Sequence, residues 1–196
     1  MVLGVTGGMG CGKSTAARIF EELGFRRIDS DALVRDRVLM ESASVEEARR
    51  RFGDGVIAVD AEAGGARRID RAALARVLFA DDAKLRAWED YVLPRVFELW
   101  REALESDRAA RWVVEAPLLY EKSLEKWFDF VVCVASSGAT QIARLSGRGV
   151  SHTLAAQRIS KQLPLAEKIE KADFVLSNDG STEFLRAQIK HLVARL

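Results

Sequence analysis

The sequence predicts an α/β fold: a parallel five-stranded sheet flanked by helices, with a helical segment inserted between its strands. Three observations carry this expectation. Strand-like and helix-like stretches alternate along the chain, the pattern of βαβ units joined by right-handed crossovers. Runs such as Val131-Val132-Cys133-Val134-Ala135 are apolar without interruption, as strands covered on both faces of a parallel sheet are. A glycine-rich turn, Gly7-Gly8-Met9-Gly10-Cys11-Gly12, leads directly from the first strand-like run into a helical pattern.

Residues 2–6 read as a short buried strand. After the turn, Ala16, Ala17, Ile19, Phe20 and Leu23 follow helical spacing, and Gly24 sits where a C-terminal glycine ends a helix. A second strand is expected over 25–28, then Asp29-Ser30-Asp31 and a helix over 32–39. The middle of the chain changes texture and reads as almost all helix. Helices are expected over 44–52, closed by Gly53, and over 71–79, capped by Asp70, with a turn region over 60–65. A long helical pattern over 81–105 contains Pro94, which is expected to kink or split it. Strands return at 112–115 and 128–135. Helical patterns follow over 140–145, over 153–163 with Ser151 or His152 near the cap, and after Pro164. A strand over 174–177, a turn at Asn178-Asp179-Gly180 and an amphipathic helix over 182–195 complete the chain.

The 196 residues are enough to bury a core without disulfides or a structural metal. A content of 48% apolar and 30% charged residues excludes a disordered chain. Thirty Lys and Arg against 29 Asp and Glu leave a net charge of +1, which excludes binding to nucleic acid through bulk charge, so no nucleic-acid partner is expected. No apolar run approaches the ~18 residues of a membrane helix, so no membrane partner is expected. The opening residues show neither a basic leader nor an apolar signal core, and the two cysteines, Cys11 and Cys133, are expected to stay reduced. The expected compartment is the cytoplasm. Cys11 reads as a small residue tolerated in the turn rather than a reactive thiol, and Cys133 as core packing.

Gly7-x-x-x-x-Gly12-Lys13-Ser14 matches the phosphate-loop pattern G-x-x-x-x-G-K-[ST] at every fixed position, with the required strand before it and helix after it. The spacing has a chemical reason. Glycines let backbone N–H groups turn inward around an anion, and the helix N-terminus adds its partial positive charge. Lys13 is then expected to bridge the β- and γ-phosphates of a nucleotide, Ser14 to offer its hydroxyl to Mg²⁺, and Thr15 to meet the α-phosphate. The predicted architecture is therefore a P-loop NTPase fold.

Two subclasses are excluded by what the chain lacks. No aspartate has glycine three residues on, and Asn178-Asp179-Gly180-Ser181 lacks the lysine of a GTPase base-reading loop. Leu145-Ser146-Gly147-Arg148-Gly149 imitates an ABC-transporter signature but follows the strand at 112–115 that such a signature precedes. Small-molecule kinases remain. Asp29 and Asp31, expected just past the second strand, lie at the carboxyl edge of the sheet, where one carboxylate takes the acceptor proton and the other orients substrate or a metal-bound water. Arg144 and Arg148, four apart on one helical face, suit a lid over the phosphates. The residues alone leave open a kinase acting on a nucleoside or nucleotide, and an ATP sensor without catalysis.

The chain resembles the dephospho-coenzyme A kinase family nearly end to end. The resemblance rests on Gly4-Val5-Thr6-Gly7-Gly8-Met9-Gly10-Cys11-Gly12-Lys13-Ser14; on Asp29, Asp31 and Arg35; on Ile69-Asp70-Arg71 with Leu74; and on Pro117-Leu118-Leu119-Tyr120-Glu121. Gln141, Arg144, Arg148, Arg158, Gln162, Asp173 and Asn178 follow in the family's order. The resemblance implies ATP with Mg²⁺ and the small-molecule substrate dephospho-CoA. It implies ATP binding by Gly10, Cys11, Gly12, Lys13, Ser14, Thr15, Arg144 and Arg148, with Asn178 near the adenine. Asp31 would be the base for the ribose 3′-hydroxyl, and Lys13 and Arg144 would act in catalysis beside it. Asp29, Arg35, Leu118, Leu119 and Glu121 would border the substrate. The implied organisation is a single domain over 1–196, with its core at about 1–39 and 108–196, a helical substrate-binding insertion at about 40–107 and a lid at about 140–165. The working form is expected to be a monomer or weak homo-oligomer. Three positions depart from the pattern: Leu93 stands before Pro94 where the family usually has histidine, Glu115 where aspartate is more frequent, and Gly149 where Asp or Asn often follows Arg148.

Overall fold

The computed structural model describes residues 1–60 and 65–196, and their contacts group into two units: Met1–Asp29 with Asp107–Leu196, and Ser30–Ser106. The first unit opens with β1 (Val2–Gly7), α1 (Lys13–Glu22) and β2 (Arg26–Asp29). The second holds α2 (Ser30–Asp36), α3 (Ser42–Phe52), β3 (Ile57–Asp60), β4 (Ala66–Ile69), α4 (Arg71–Phe79) and α5 (Asp82–Ser106). The first unit resumes with β5 (Trp112–Glu115), β6 (Phe130–Ala135), α6 (Gly138–Ser146), α7 (His152–Ser160), α8 (Leu165–Lys171), β7 (Phe174–Ser177) and α9 (Thr182–Val193).

The first unit is built on a five-stranded parallel sheet in the order β2-β5-β1-β6-β7. Central β1 is buried from Leu3 to Gly7, which explains its lack of polar alternation. Ala16, Ala17, Ile19 and Phe20 of α1 pack with Leu185, Ile189 and Leu192 of α9 in one apolar cluster against β1, β5 and β6. With β5 between β1 and β2, the register sets Glu115 beside both Val5 and Asp29 at the carboxyl end of the sheet. Asp29 is therefore the last residue of β2, not a loop residue beyond it. Pairing with β5 carries the strand one residue further than its apolar run.

In the second unit, the expectation of an almost wholly helical block is corrected by the antiparallel hairpin of β3 and β4, which pairs Ile57 with Ile69. Each strand has four residues, too short for alternation to outweigh the helical stretches around it. The turn expected over 60–65 lies, except at its ends, outside the described residues. The helix expected over 32–39 begins at Ser30 and ends at Asp36, and a 3₁₀ turn covers Val38–Met40. Pro94 does not split α5, which runs for 25 residues. Trp88, Val92, Val96 and Trp100 form one buried stripe across the proline, so both halves gain from staying one continuous helix. The Arg95 guanidinium donates to the Tyr91 carbonyl at 2.9 Å, serving an acceptor in the turn that the proline weakens. No helix among the described residues is long and apolar enough to cross a membrane.

Candidate active site

The glycine turn wraps the N-terminus of α1, and its geometry depends on residues without side chains. Gly12 is left-handed at φ 91°, and a Cβ there would fall 2.1 Å from Asn178 Nδ2. Gly10, at φ 81°, would press a Cβ to 2.9 Å from the Gln141 carbonyl oxygen. The first-turn amides of α1 have no acceptor within the helix and carry the positive end of its dipole.

A ring of donors pins the outer side of the turn. Asn178, 5% exposed, donates from Nδ2 to the Cys11 carbonyl at 2.8 Å. Ser136 Oγ and Arg144 Nη1 each approach the same oxygen at 3.4 Å. Arg144 also reaches the Gly10 carbonyl at 3.4 Å and, through Nη2, the Asn178 carbonyl at 2.8 Å. A peptide whose carbonyl is held outward presents its N–H to the opposite side, so the three donors on the Cys11 carbonyl turn the Gly12 N–H inward, while the Cys11 N–H closes the turn on the Gly8 carbonyl at 3.2 Å. Lys13 folds back so that Nζ donates to the carbonyls of Gly7 at 3.3 Å and Gly8 at 3.0 Å, which sets the ammonium on the turn it serves. Beside the turn lies a pocket of about 380 Å³ whose walls include Gly12, Thr15, Arg144, Arg148 and Asn178. Arg148 is exposed.

Ser14 Oγ donates to Glu115 Oε1 at 2.6 Å. The Arg27 guanidinium bridges Asp29 Oδ2 at 2.6 Å and Glu115 Oε2 at 3.4 Å, holding two carboxylates side by side where the register brings them together. A hydroxyl and a nearly buried carboxylate are hard oxygen donors of the kind Mg²⁺ takes. Among the described residues, no group of three or more His, Cys, Asp or Glu side chains is placed to hold a metal. The donor set fits part of a Mg²⁺ site, whose remaining oxygen ligands would come from outside the side chains of the described residues.

The remaining expected site residues fall in several places. Asp31 is exposed in the first turn of α2, and Arg35, in the last turn, pairs with Asp36. Leu118 is half-buried, whereas Leu119 is fully buried. The Leu119 side chain packs in the core. Glu121 Oε1 accepts from Lys168 Nζ at 2.8 Å and from the Leu163 N–H at 2.9 Å, so it is engaged within the first unit. Asn178 donates its amide to the turn and also walls the pocket beside it. Cys11 is buried, and burial pushes its thiol up from the ordinary value, which agrees with a packing role. Burial likewise raises Cys133 to about 11. Sequence reasoning missed Ser136, Gln141 as a packing partner of the turn, Arg27 and Lys168. Only Lys168 left a signal, a charge on the apolar side of a helix that also carries Leu165 and Ile169.

The dephospho-CoA kinase family model matches residues 1–183. A dephospho-CoA kinase of Symbiobacterium thermophilum is 38% identical over 193 residues, covering 96% of this chain and 78% of that protein. One of Syntrophotalea carbinolica is also 38% identical, over 100% of this chain and 92% of that protein. Among solved structures, TT1252 from Thermus thermophilus superposes with a TM-score of 0.82 at 35% identity, covering 100% of this chain and 97% of that one. A Campylobacter jejuni dephospho-CoA kinase, at 22% identity and a TM-score of 0.69, covering 99% of this chain and 96% of that one, shares the fold. Identity at this level over essentially the full length makes the chain a member of the dephospho-CoA kinase family, enzymes that use ATP to phosphorylate dephospho-CoA.

Proposed function

We infer that the chain transfers the γ-phosphoryl group of ATP to the 3′-hydroxyl of the dephospho-CoA ribose, giving coenzyme A and ADP, the last step of coenzyme A synthesis. The observation that carries this reading is the family match over residues 1–183. The braced phosphate turn supports it, since phosphoryl transfer is chiefly a matter of position and charge stabilisation.

In this reading the turn from Gly10 to Thr15 binds the triphosphate through backbone N–H groups, and Lys13 swings from the Gly7 and Gly8 carbonyls onto phosphate oxygens. Arg144, which braces the turn and walls the same pocket as Arg148, holds ATP phosphates and acts in catalysis, and Arg148 faces the nucleotide from the lid at about 140–165. Ser14 and Glu115 hold Mg²⁺, which when bound neutralises charge on the phosphates. Asp31 accepts the proton of the ribose hydroxyl while Asp29, steadied by Arg27, orients the acceptor. The helical insertion, with Arg35, and the exposed part of Leu118 bind the substrate side. The protein works in the cytoplasm as a monomer or weak homo-oligomer.

The test is ATP turnover with and without dephospho-CoA, with products identified by mass. ADP formed only with dephospho-CoA, alongside a product heavier by one phosphoryl group, is the expected result. Comparable turnover with AMP, CMP or uridine overturns the assignment, and so does binding of ATP with no acceptor-stimulated ADP.

A further inference from the structure

Lys168 is the one charged side chain among the largest fully buried groups of the described residues, at 0% exposure, and the phosphoryl-transfer reading gives it no task. Its Nζ donates to the Pro117 carbonyl at 3.0 Å and to Glu121 Oε1 at 2.8 Å. Pro117 lies just past β5, and its carbonyl is also approached by Thr6 Oγ1 at 3.5 Å, one residue before the phosphate turn begins. Glu121 Oε1 takes a second donor, the backbone N–H of Leu163 at 2.9 Å, in the link between α7 and α8. Glu121 Oε2 is buried without a hydrogen-bond partner among the described residues. Burying such a pair costs desolvation that its attraction does not reliably repay, so core stability alone explains it poorly.

What the pair joins is informative. One carboxylate oxygen ties the end of the α7 segment to α8 and to the loop after β5. The other end of the segment turns at Gly149, whose φ of 76° favours glycine. Exposed Arg148, at the nucleotide pocket, immediately precedes that turn, and the segment beyond it is tied down at Leu163.

We propose that Lys168 and Glu121 are positioning residues for the reaction: a buried ion-pair clamp on Leu163 that anchors residues 147–163, so that this arm moves over the nucleotide about two defined points. The proposal rests on reading about 140–165 as a lid.

The experiment compares the whole enzyme with Glu121→Ala, Glu121→Gln and the double variant Glu121→Ala/Lys168→Met. Amide exchange across 147–163 is measured without substrates, and KM for ATP, kcat and thermal midpoint are measured separately. Glu121→Ala should speed exchange in the arm about tenfold and raise KM for ATP about tenfold with a smaller change in kcat. Glu121→Gln, which keeps an acceptor oxygen for both donors but removes the counter-charge of buried Lys168, should fall between the wild type and Glu121→Ala in both. The double variant, relieved of an unpaired buried charge, should regain thermal stability yet keep the fast exchange and high KM. Unchanged exchange in a folded Glu121→Ala or double variant overturns the clamp. Faster exchange with an unchanged KM for ATP overturns the positioning role, while turnover with dephospho-CoA still stands as evidence for the activity. Recovery of KM along with stability in the double variant reduces the pair to a structural part and overturns the proposal.

Discussion

Asn178 Nδ2 lies 2.1 Å from where a Gly12 Cβ would stand, at a backbone angle that side chains rarely adopt. Gly12→Ala should therefore move either the turn or its brace and cut ATP affinity by about tenfold or more, read by nucleotide titration of the folded variant. Lys13→Ala should weaken both ATP binding and turnover. Asp31→Asn should behave differently: it leaves ATP binding near the wild-type value and lowers kcat by about 10²–10⁴, the usual contribution of a positioned base. An unchanged kcat removes Asp31 from that role. The turn was legible in the sequence because its spacing is local and its glycines encode backbone angles. Its brace was not. Asn178 reaches Cys11 across 167 positions and Ser136 across 125, and no local pattern records a contact of that separation.

At the scale of elements, caps and periodicity read well. Asp70 caps α4 as its sequence position predicts, accepting from the Ala72 and Ala73 amides at 2.9 and 3.0 Å. The Ala73 N–H, followed by that of Ala72, holds its carboxyl below the usual range. A lowered folded-state value means that this contribution is present above the unfolded value of about 4 and fades as pH falls through the folded one. The stability gap between wild type and Asp70→Ala, measured by denaturant titration, should accordingly be largest near neutrality and close in acid. A gap that persists below the folded-state value contradicts the cap's electrostatic part. Continuous α5 shows where a local rule gives way. The breaking tendency of Pro94 is overridden by the stripe of Trp88, Val92, Val96 and Trp100, none of which a proline rule considers. The β3–β4 hairpin escaped notice for the opposite reason, since four-residue strands offer too few alternations to register against helical neighbours.

For the molecule as a whole, ligand linkage provides the test. ATP with Mg²⁺ at about 100 times its dissociation constant should add about 2.7 kcal/mol of stability, a rise of roughly 5–10 °C in Tm for a chain of this size. Lys13→Ala should lose most of that shift at the same concentration, as scanning fluorimetry would record. The sequence by itself determined that a strand, a phosphate turn and a helix follow one another, that parallel strands surround them, and which family's motifs the chain carries. It could do so because these properties reside in short-range spacing: period, glycine placement and capping. Only the tertiary structure decided that Glu115 meets Ser14 and Arg27, that Asn178 braces the turn at Cys11, and that Lys168 is sealed against Glu121. Those pairings depend on strand register and helix packing between residues far apart in the chain, and that register is set when the core closes.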